Sequence, residues 1–415
     1  MITALRGMKD MLPQNSELYE RIISVCESVA QNYGYRKILT PHLEETALFK
    51  RSVGESSDIV GKEMYQFLDK GGNDVCLRPE GTAGIVRAFI EAKLDRAGGV
   101  HRWFYSGSMF RYERPQRGRL REFHQFGCEC FGEASVREDA SVILMVAEIL
   151  RRLEVKATLK INSLGDASSM AVYREKLVKF LDARESEICE DCRRRKSINP
   201  IRTLDCKNEN CQRIYADAPL MIENLSDEAA GDFAKLREIL DAAGLKYEID
   251  AKLVRGLDYY CKTAFEFVSG EIGAQSAVAG GGRYDRLVEY LGGKASYGVG
   301  FAMGIERIME ILGGRESQSA RGGVYIGAMD ADGVDAVYKI AINLRKSLPV
   351  LVSYEPKKLQ KHLNAADNAN ARICLCVGED ELKSGKIWLK DLSEKAEKTL
   401  DLADLEAKLK RILNV

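Results

Sequence analysis

Seven charged side chains crowd one short stretch of this chain. Between Met109 and Cys130, in MFRYERPQRGRLREFHQFGCEC, Arg111, Glu113, Arg114, Arg117, Arg119, Arg121 and Glu122 flank a turn from Pro115 to Gly118. Phe110 and Tyr112 precede the turn, and Phe123 and Phe126 follow it. Alternation on both sides predicts two strands joined by a loop that is cationic at its tip. Guanidinium groups hold phosphates in bidentate geometry, and an aromatic ring beside them gives a base a stacking face. These are the parts of a nucleotide site carried on a hairpin. A solvated, salt-bridged hairpin is the plainer alternative for an Arg/Glu-rich stretch.

Four further segments carry groups with chemistry. In LRPEGT, residues 77–82, a Pro-Gly turn sets Glu80 beside Gly81 and Thr82. A carboxylate and a hydroxyl placed so suit an α-ammonium group, although Pro-Glu-Gly is also common turn chemistry. In LVRGLDYYCKTAFEF, residues 253–267, Arg255 precedes a glycine that lets the backbone turn, and Tyr259 and Tyr260 supply aromatic faces and phenols. A strand edge with a surface arginine is the alternative there. Gly280, Gly281 and Gly282 in AGGGRYDRL allow close backbone approach to a ligand, or mark a bulge. GVGFAMGIERIMEIL, residues 298–312, runs from a small-residue strand into an amphipathic helix, with Arg307 on its first turns. Alone it reads equally as a core helix with a surface arginine.

Cys189 and Cys192 have zinc-knuckle spacing, and Cys206 and Cys211 complete a set of four thiols able to close a tetrahedral site. Structural zinc and metal-free thiols both stay open on this spacing. The neighbouring run Arg193 to Lys196 reads as a solvated face, with an RNA contact as the sharper option. His42, His101, His124 and His362 are the only histidines, and none has ligand spacing with another. Metal catalysis based on histidine is therefore not expected, and His124 reads as structural or as a neighbour of the substrate.

Positioning these groups takes several elements. At 415 residues the chain is long enough for two or three domains with proper cores. Lys and Arg total 62 and Asp and Glu total 62, so any RNA contact has to come from local patches. No stretch is apolar and long enough to span a bilayer, and the N-terminus has no signal-like apolar run. Eleven cysteines without such a signal suggest reduced thiols in the cytosol. Residues 16–33 predict a helix with Ser16 as its cap and Gly34 as its stop, followed by a strand broken at Pro41. A βαβ-like mixture follows to about residue 160, including a helix from Ala134 to Leu153. Residues from about 166 to 235 read as mostly helical and polar, and the core returns from Tyr247 to about Leu312. GGRESQSARGG, residues 313–323, is a linker by composition. Beyond it, strands and helices alternate as βαβαββ before a terminal helix, a small α/β domain.

The pattern of Phe110, Arg111 and Glu113, a loop, then Arg119 with Phe123 four residues on resembles motif 2 of class II aminoacyl-tRNA synthetases. RYERPQRGRLREFHQFG resembles its histidyl-tRNA synthetase form, and Arg-Gly-Leu-Asp-Tyr-Tyr from Arg255 is a hallmark of that family. The helix running into the strand that ends at Pro41 resembles motif 1, the dimer-forming element, and the entry to Arg307 resembles motif 3. The likeness runs from LRGMKDMLP to VGEDELKSGKIWLKDL.

The resemblance implies an α+β class II synthetase catalytic domain over 1–320, an antiparallel sheet flanked by helices with a helical insertion at about 166–235. An α/β anticodon-binding domain over 321–415 would follow. It implies a cytoplasmic homodimer whose substrates are L-histidine, ATP with Mg²⁺, and histidine tRNA. By the same resemblance Glu80, Gly81 and Thr82 hold the histidine backbone, and Gln125, Glu129, Tyr259, Tyr260 and Tyr284 read its amine and imidazole. Arg111 and Arg255 clamp the reacting carboxylate and α-phosphate, Phe123 stacks on adenine, and Glu113 bonds its edge. Arg119 and Arg307 grip the β- and γ-phosphates, while Gln116 and Arg117 meet the acceptor stem, where the family reads an extra 5′ guanosine. Leu120 stands where the family usually has Tyr, and Cys261 where Thr is common. The rival within reach of this likeness is a non-catalytic, histidine-sensing regulatory subunit of ATP phosphoribosyltransferase.

Overall fold

Pro13 opens the first helix, Pro13–Asn32, because a proline at the first helical position lacks only an N–H that would have no partner there. The helix therefore starts ahead of Ser16, whose hydroxyl instead donates back to the Pro13 carbonyl. Gly34, at φ +80°, ends it by taking the left-handed conformation that other residues avoid. The computed structural model describes residues 2–54, 57, 59–116, 118–206, 208–254, 259–272, 277–313 and 321–414. These fall into two compact units, Met1–Arg315 and Glu316–Val415.

Eleven strands follow in the first unit: β1 (Arg36–Lys37), β2 (Leu43–Glu45), β3 (Tyr65–Leu68), β4 (Asp74–Leu77), β5 (His101–Phe110), β6 (Glu122–Phe131), β7 (Thr158–Ser163), β8 (Tyr247–Ile249), β9 (Cys261–Val268), β10 (Ala277–Arg283) and β11 (Gly298–Gly304). Eight of them form one sheet in the order β1-β5-β6-β11-β10-β9-β7-β8, and β2-β4-β3 form a small second one. Only the outer pairs β1–β5 and β7–β8 are parallel; the six strands between run antiparallel. The βαβ-like reading of residues up to 160 is corrected here. β5 and β6 follow one another through the arginine-rich loop with no crossover helix, and a direct hairpin can only pair antiparallel.

One face of the large sheet is covered by helices. Pro13–Asn32, Val136–Arg152, Asp227–Ala242 and Ile305–Gly313 bury Ile22, Val29, Ile143, Ile149, Leu236 and Ile308 against Phe126, Phe265 and Phe301 of the strands. Ser135 caps Val136–Arg152 by accepting from the Arg137 N–H, and Glu138 and Asp139 add negative charge at its positive end. The opposite face is left for the site. Helices Ala167–Asp182, Glu190–Ile198 and Glu209–Ile214 pack a small core of their own around Tyr173, Leu177, Leu181 and Tyr215. Asp227–Ala242 belongs instead to the main core, through Phe233, Leu236 and Leu240.

The second unit adds β12 (Gly322–Ala328), β13 (Val350–Ser353), β14 (Ala371–Val377), β15 (Lys386–Asp391) and β16 (Ala396–Asp401), ordered β13-β12-β14-β15-β16. The first three of that order are parallel and the last two pair antiparallel. Helices Gly333–Leu344, Leu359–Asn368 and Leu405–Leu413 accompany them, and a short helix, Glu379–Ser384, extends the expected pattern. Ile326, Val337, Ile373, Leu375, Leu389 and Leu409 give this unit its own core. Among the described residues, no helix is long and apolar enough to cross a membrane.

Candidate active site

The uncovered face of the large sheet holds a cavity of about 220 Å³. β6 contributes Phe123 and Gln125, the β5–β6 loop Arg111, Glu113 and Arg119, and the turn after β4 Glu80 and Thr82. Tyr259 and Tyr260 enter just ahead of β9, Gly280 from β10, and Arg307 from the helix after β11. Glycines let the strands close up beneath it. A Cβ at Gly281 would lie 2.1 Å from the Gly300 carbonyl oxygen, and one at Gly300 would lie 1.9 Å from Glu129 Oε2.

A carboxylate-rich corner forms around Thr82. Glu80 accepts from the backbone N–H groups of Thr82 and Ala83 at 2.7 and 2.8 Å, capping the helix Thr82–Glu91. Burial pushes its carboxyl up from the ordinary range, and those two N–H donors pull part of the way back. Thr82 Oγ1 donates to Glu129 Oε1 at 2.7 Å, and the Tyr284 hydroxyl donates to Glu129 Oε2. Glu129 is 1% exposed, and burial raises its carboxyl to about 8 despite both hydroxyls. One buried carboxylate lining the cavity, with a second directly behind it, makes a site suited to a cation such as an ammonium. The Gln125 side-chain carbonyl oxygen is also buried and has no hydrogen-bond partner among the described residues, which suits it to a ligand.

Neighbouring elements hold this corner rigid. Arg78, 6% exposed, ties the turn to β5 through the Ser108 carbonyl at 2.9 Å and to the Thr40 carbonyl at 3.0 Å. Arg283 pairs with Asp139 at the sheet's covered side and so anchors the adjacent Tyr284. Tyr105 slides its ring between Gly81 and Gly127, where a Cβ at either position would fall within 2.5 Å of it.

Cations gather on the loop side. Arg111 donates to the Pro79 carbonyl at 2.8 Å and lies 5.2 Å over the Phe123 ring. Glu113 pairs with Arg119 at 2.6 Å and lies 3.7 Å from Arg111. Arg307 reaches the Gly118 and Ala277 carbonyls, and its guanidinium is held below its usual pKa by burial and by the nearby Arg119 and Arg111. Three guanidiniums packed this closely, with Glu113 among them, give this side of the cavity a net positive charge suited to an anion. Gln116 and Arg119 bridge each other across the loop by paired backbone hydrogen bonds at 3.1 and 2.9 Å.

The structure thus brings Glu80, Thr82, Gln125, Tyr259, Tyr260, Arg111, Glu113, Arg119, Phe123 and Arg307 to one cavity, with Gly81, Glu129 and Tyr284 directly behind it. Arg255 and Arg117 lie outside the described residues. His124 is tied into the protein on both ring nitrogens: its Nδ1 lies 2.7 Å from Glu306, which lines the cavity, and its Nε2 3.2 Å from the Ser108 hydroxyl. Glu306, Glu266 and Tyr105 were missed in sequence, although Glu306 and Glu266 line the cavity. Glu306, beside Arg307, was the one with a signal, as a carboxylate at the entry of a helix from a small-residue strand. Away from this cavity, the sulfurs of Cys189, Cys192, Cys206 and Cys211 come within 4.8 Å of one another and could hold a metal.

Known proteins share this plan from end to end. Residues 7–308 match the family described as histidyl-tRNA synthetase, and residues 323–412 match the anticodon binding domain. Histidine–tRNA ligase of Campylobacter concisus (strain 13826) is 73% identical over 409 residues, which span 99% of this chain and 100% of that one. Its counterpart from Campylobacter hominis is 65% identical over 405 residues, 98% of this chain and 99% of the other. The crystal structure of apo S. aureus histidyl-tRNA synthetase matches with a TM-score of 0.83 at 33% identity, over 99% of this chain and 100% of that one. The chain belongs to the histidyl-tRNA synthetase family of class II aminoacyl-tRNA synthetases.

Proposed function

We propose that the cavity joins L-histidine to ATP and passes the product to histidine tRNA, the activity of a histidine–tRNA ligase. One observation carries this: a single cavity is lined both by Glu80 and Thr82, with the buried Glu129 carboxylate behind them, and by the Arg111, Arg119 and Arg307 guanidiniums. The first set suits an ammonium and the second a polyphosphate. In this reading Glu80, Gly81 and Thr82 hold the histidine backbone, while Gln125, Glu129, Tyr259, Tyr260 and Tyr284 read the amine and imidazole. Phe123 stacks on adenine, Glu113 bonds its edge, and Arg119 and Arg307 grip the β- and γ-phosphates of MgATP. Arg111 and Arg255 hold the carboxylate against the α-phosphate. A carboxylate oxygen of histidine attacks the α-phosphorus, pyrophosphate leaves, and the 3′-hydroxyl of the tRNA then displaces AMP. No side chain bonds covalently to substrate, so the rate comes from positioning and from fixed positive charge where the phosphoryl oxygens gain charge.

The reading extends to a cytoplasmic homodimer assembled through the N-terminal elements. Leu5, Leu12, Leu39, Leu43, Phe67 and Leu68 are all exposed there, the kind of side chain that an interface between two copies would cover. Light scattering should report a dimer. Gln116 and Arg117 would meet the acceptor stem. Histidine-dependent ATP–pyrophosphate exchange tests the core of the proposal. Exchange that requires histidine is expected, followed by charging of histidine tRNA; a protein that binds histidine yet exchanges nothing would be a sensor like the phosphoribosyltransferase subunit instead.

A further inference from the structure

We propose that Cys189, Cys192, Cys206 and Cys211 bind one zinc ion as four thiolates, and that this ion fixes the wall of the insertion that faces Tyr260. The sulfur positions carry the first half. All four Sγ atoms lie within 4.8 Å of one another, and those of Cys189 and Cys206 are 3.8 Å apart. Tetrahedral zinc with bonds of about 2.3 Å sets its sulfurs about 3.8 Å apart. The ligands come from distinct pieces of chain: Cys189 caps helix Glu190–Ile198, Cys192 sits in its first turn, Cys206 follows the short 3₁₀ helix Pro200–Asp205, and Cys211 lies in Glu209–Ile214. Backbone N–H groups already aim at the sulfurs, Cys189 at Cys211 Sγ (3.2 Å) and Asn208 at Cys206 Sγ (3.4 Å). Such donors stabilise thiolates and orient them toward a metal. The helix carrying Cys192 also carries Arg193, Arg194, Arg195 and Lys196, of which Arg194 pairs with Asp191 and Lys196 with Asp182 and Glu185.

Size argues the same way. Beyond the four cysteines, the core of this module rests on a handful of side chains, among them Tyr173, Leu177, Leu181, Tyr215 and Met221. A core so small rarely holds short helices and turns together without a disulfide or a metal.

The second half follows from what the ion would pin, and it rests on the active-site reading above. Between Cys192 and Cys206 the chain supplies Ile198, Ile201 and Leu204 to a cavity of about 470 Å³ whose lining also includes Tyr260. Tyr260 lines the active-site cavity too. Holding both ends of the 192–206 stretch on one ion keeps that wall against Tyr260.

Metal analysis of the full-length protein, purified in reductant without chelator, should find one zinc per chain. Replacement by Co²⁺ should give thiolate-to-metal charge transfer and the visible bands of tetrahedral cobalt. Protein free of zinc whose cobalt form lacks those bands, or four thiols recovered as disulfides, would overturn the site. The double variant Cys206→Ser/Cys211→Ser should lose the metal and raise the histidine KM in pyrophosphate exchange at least about fivefold, the low end of coupling between linked sites. An unchanged histidine KM in the metal-free variant would overturn the link to Tyr260. Should that variant fail to fold, limited proteolysis of the wild type decides: cleavage between residues 189 and 211 is expected only after chelation, and cleavage indifferent to chelator counts against the ion. Wild type that carries zinc but exchanges no pyrophosphate would leave the metal site standing and remove the catalytic reading.

Discussion

In the proposed reading, Glu129 carries the cost of recognising a cation from inside the protein. Its carboxylate accepts from Thr82 and Tyr284 and faces Glu80, with Tyr105 and Tyr259 close by, and burial raises its pKa to about 8. An unfolded glutamate titrates near about 4.3, so the unfolded chain gives up this proton long before the folded one does. The stability that the protonated form contributes is therefore complete below about 4.3 and is lost as pH rises through about 8, by at most about 1.4 kcal/mol per pH unit. Glu129→Gln should flatten that fall. Urea unfolding at pH 5.5 and at pH 8.5 checks it, and an equal drop in variant and wild type would show Glu129 ionised throughout. In the same reading, an ammonium bound in the corner replaces the proton as the counter-charge. Glu129→Ala should accordingly raise the histidine KM by about tenfold to a hundredfold, the worth of a hydrogen bond to a charged group, while the ATP KM moves far less. Equal losses for both substrates would make Glu129 merely structural. Arg255 is argued from the resemblance, as a fixed cation at the α-phosphate. Arg255→His should slow single-turnover adenylation by about 10²–10³, the loss typical of one transition-state contact, with histidine and ATP still bound. Adenylation near the wild-type rate would remove it from that role.

At the scale of elements, the parts built from neighbouring residues were the legible ones. The hairpin β5–β6 could be read because its alternation, its turn and its arginines are contiguous, and the strands indeed pair from Phe110 opposite Glu122. Parts built from distant residues could not. Nothing in the local pattern ties His124 to Glu306, 182 positions away, and chain order alone does not tell a βαβ crossover from the antiparallel pairing that β5 and β6 adopt. Ser16 looked like a cap because its side chain can cap; Pro13, which needs no partner for its nitrogen, starts the helix sooner. The glycine run in β10 stood between two readings, a bulge and a place of close approach. Both hold in part: the register shifts between Gly282 and Arg283, while at Gly281 the neighbouring strand leaves no room for a Cβ. Gly281→Ala would set that Cβ 2.1 Å from the Gly300 carbonyl oxygen, a backbone atom that cannot swing aside. Overpacking of this kind costs about 1–3 kcal/mol, and here it also displaces the strand under Glu129. Thermal unfolding should show a lower Tm, with a raised histidine KM in the surviving protein. A variant matching wild type in both would mean the sheet is looser than its spacing suggests.

For the whole molecule, the division of labour between the two units is the open matter. Each has a separate core, Ile143, Leu236 and Phe301 among the residues of one and Ile326, Leu375 and Leu389 among those of the other. The cavity with its carboxylates and arginines is built entirely from the first unit. The second unit is nearly balanced in charge, and RNA binding there needs local features rather than a general field. Lys357, Lys358 and Lys361 lie close together in the chain after β13. Tyr338 and Tyr354 of the same unit stand exposed with ring centroids 6.2 Å apart. Exposed rings beside cations suit unstacked bases of a loop, which is how single-stranded RNA is usually read. Removing residues 321–415 should then leave histidine-dependent pyrophosphate exchange close to that of the full chain, because both small substrates meet in the first unit. Charging of histidine tRNA should fall steeply in the same preparation, because the anticodon end loses its contacts while the acceptor end keeps only the β5–β6 loop. The two assays run on one protein sample separate the outcomes. Loss of exchange along with charging would show that the second unit supports the fold of the first, and charging at the full-length rate would show that the anticodon is not read by residues 321–415 at all.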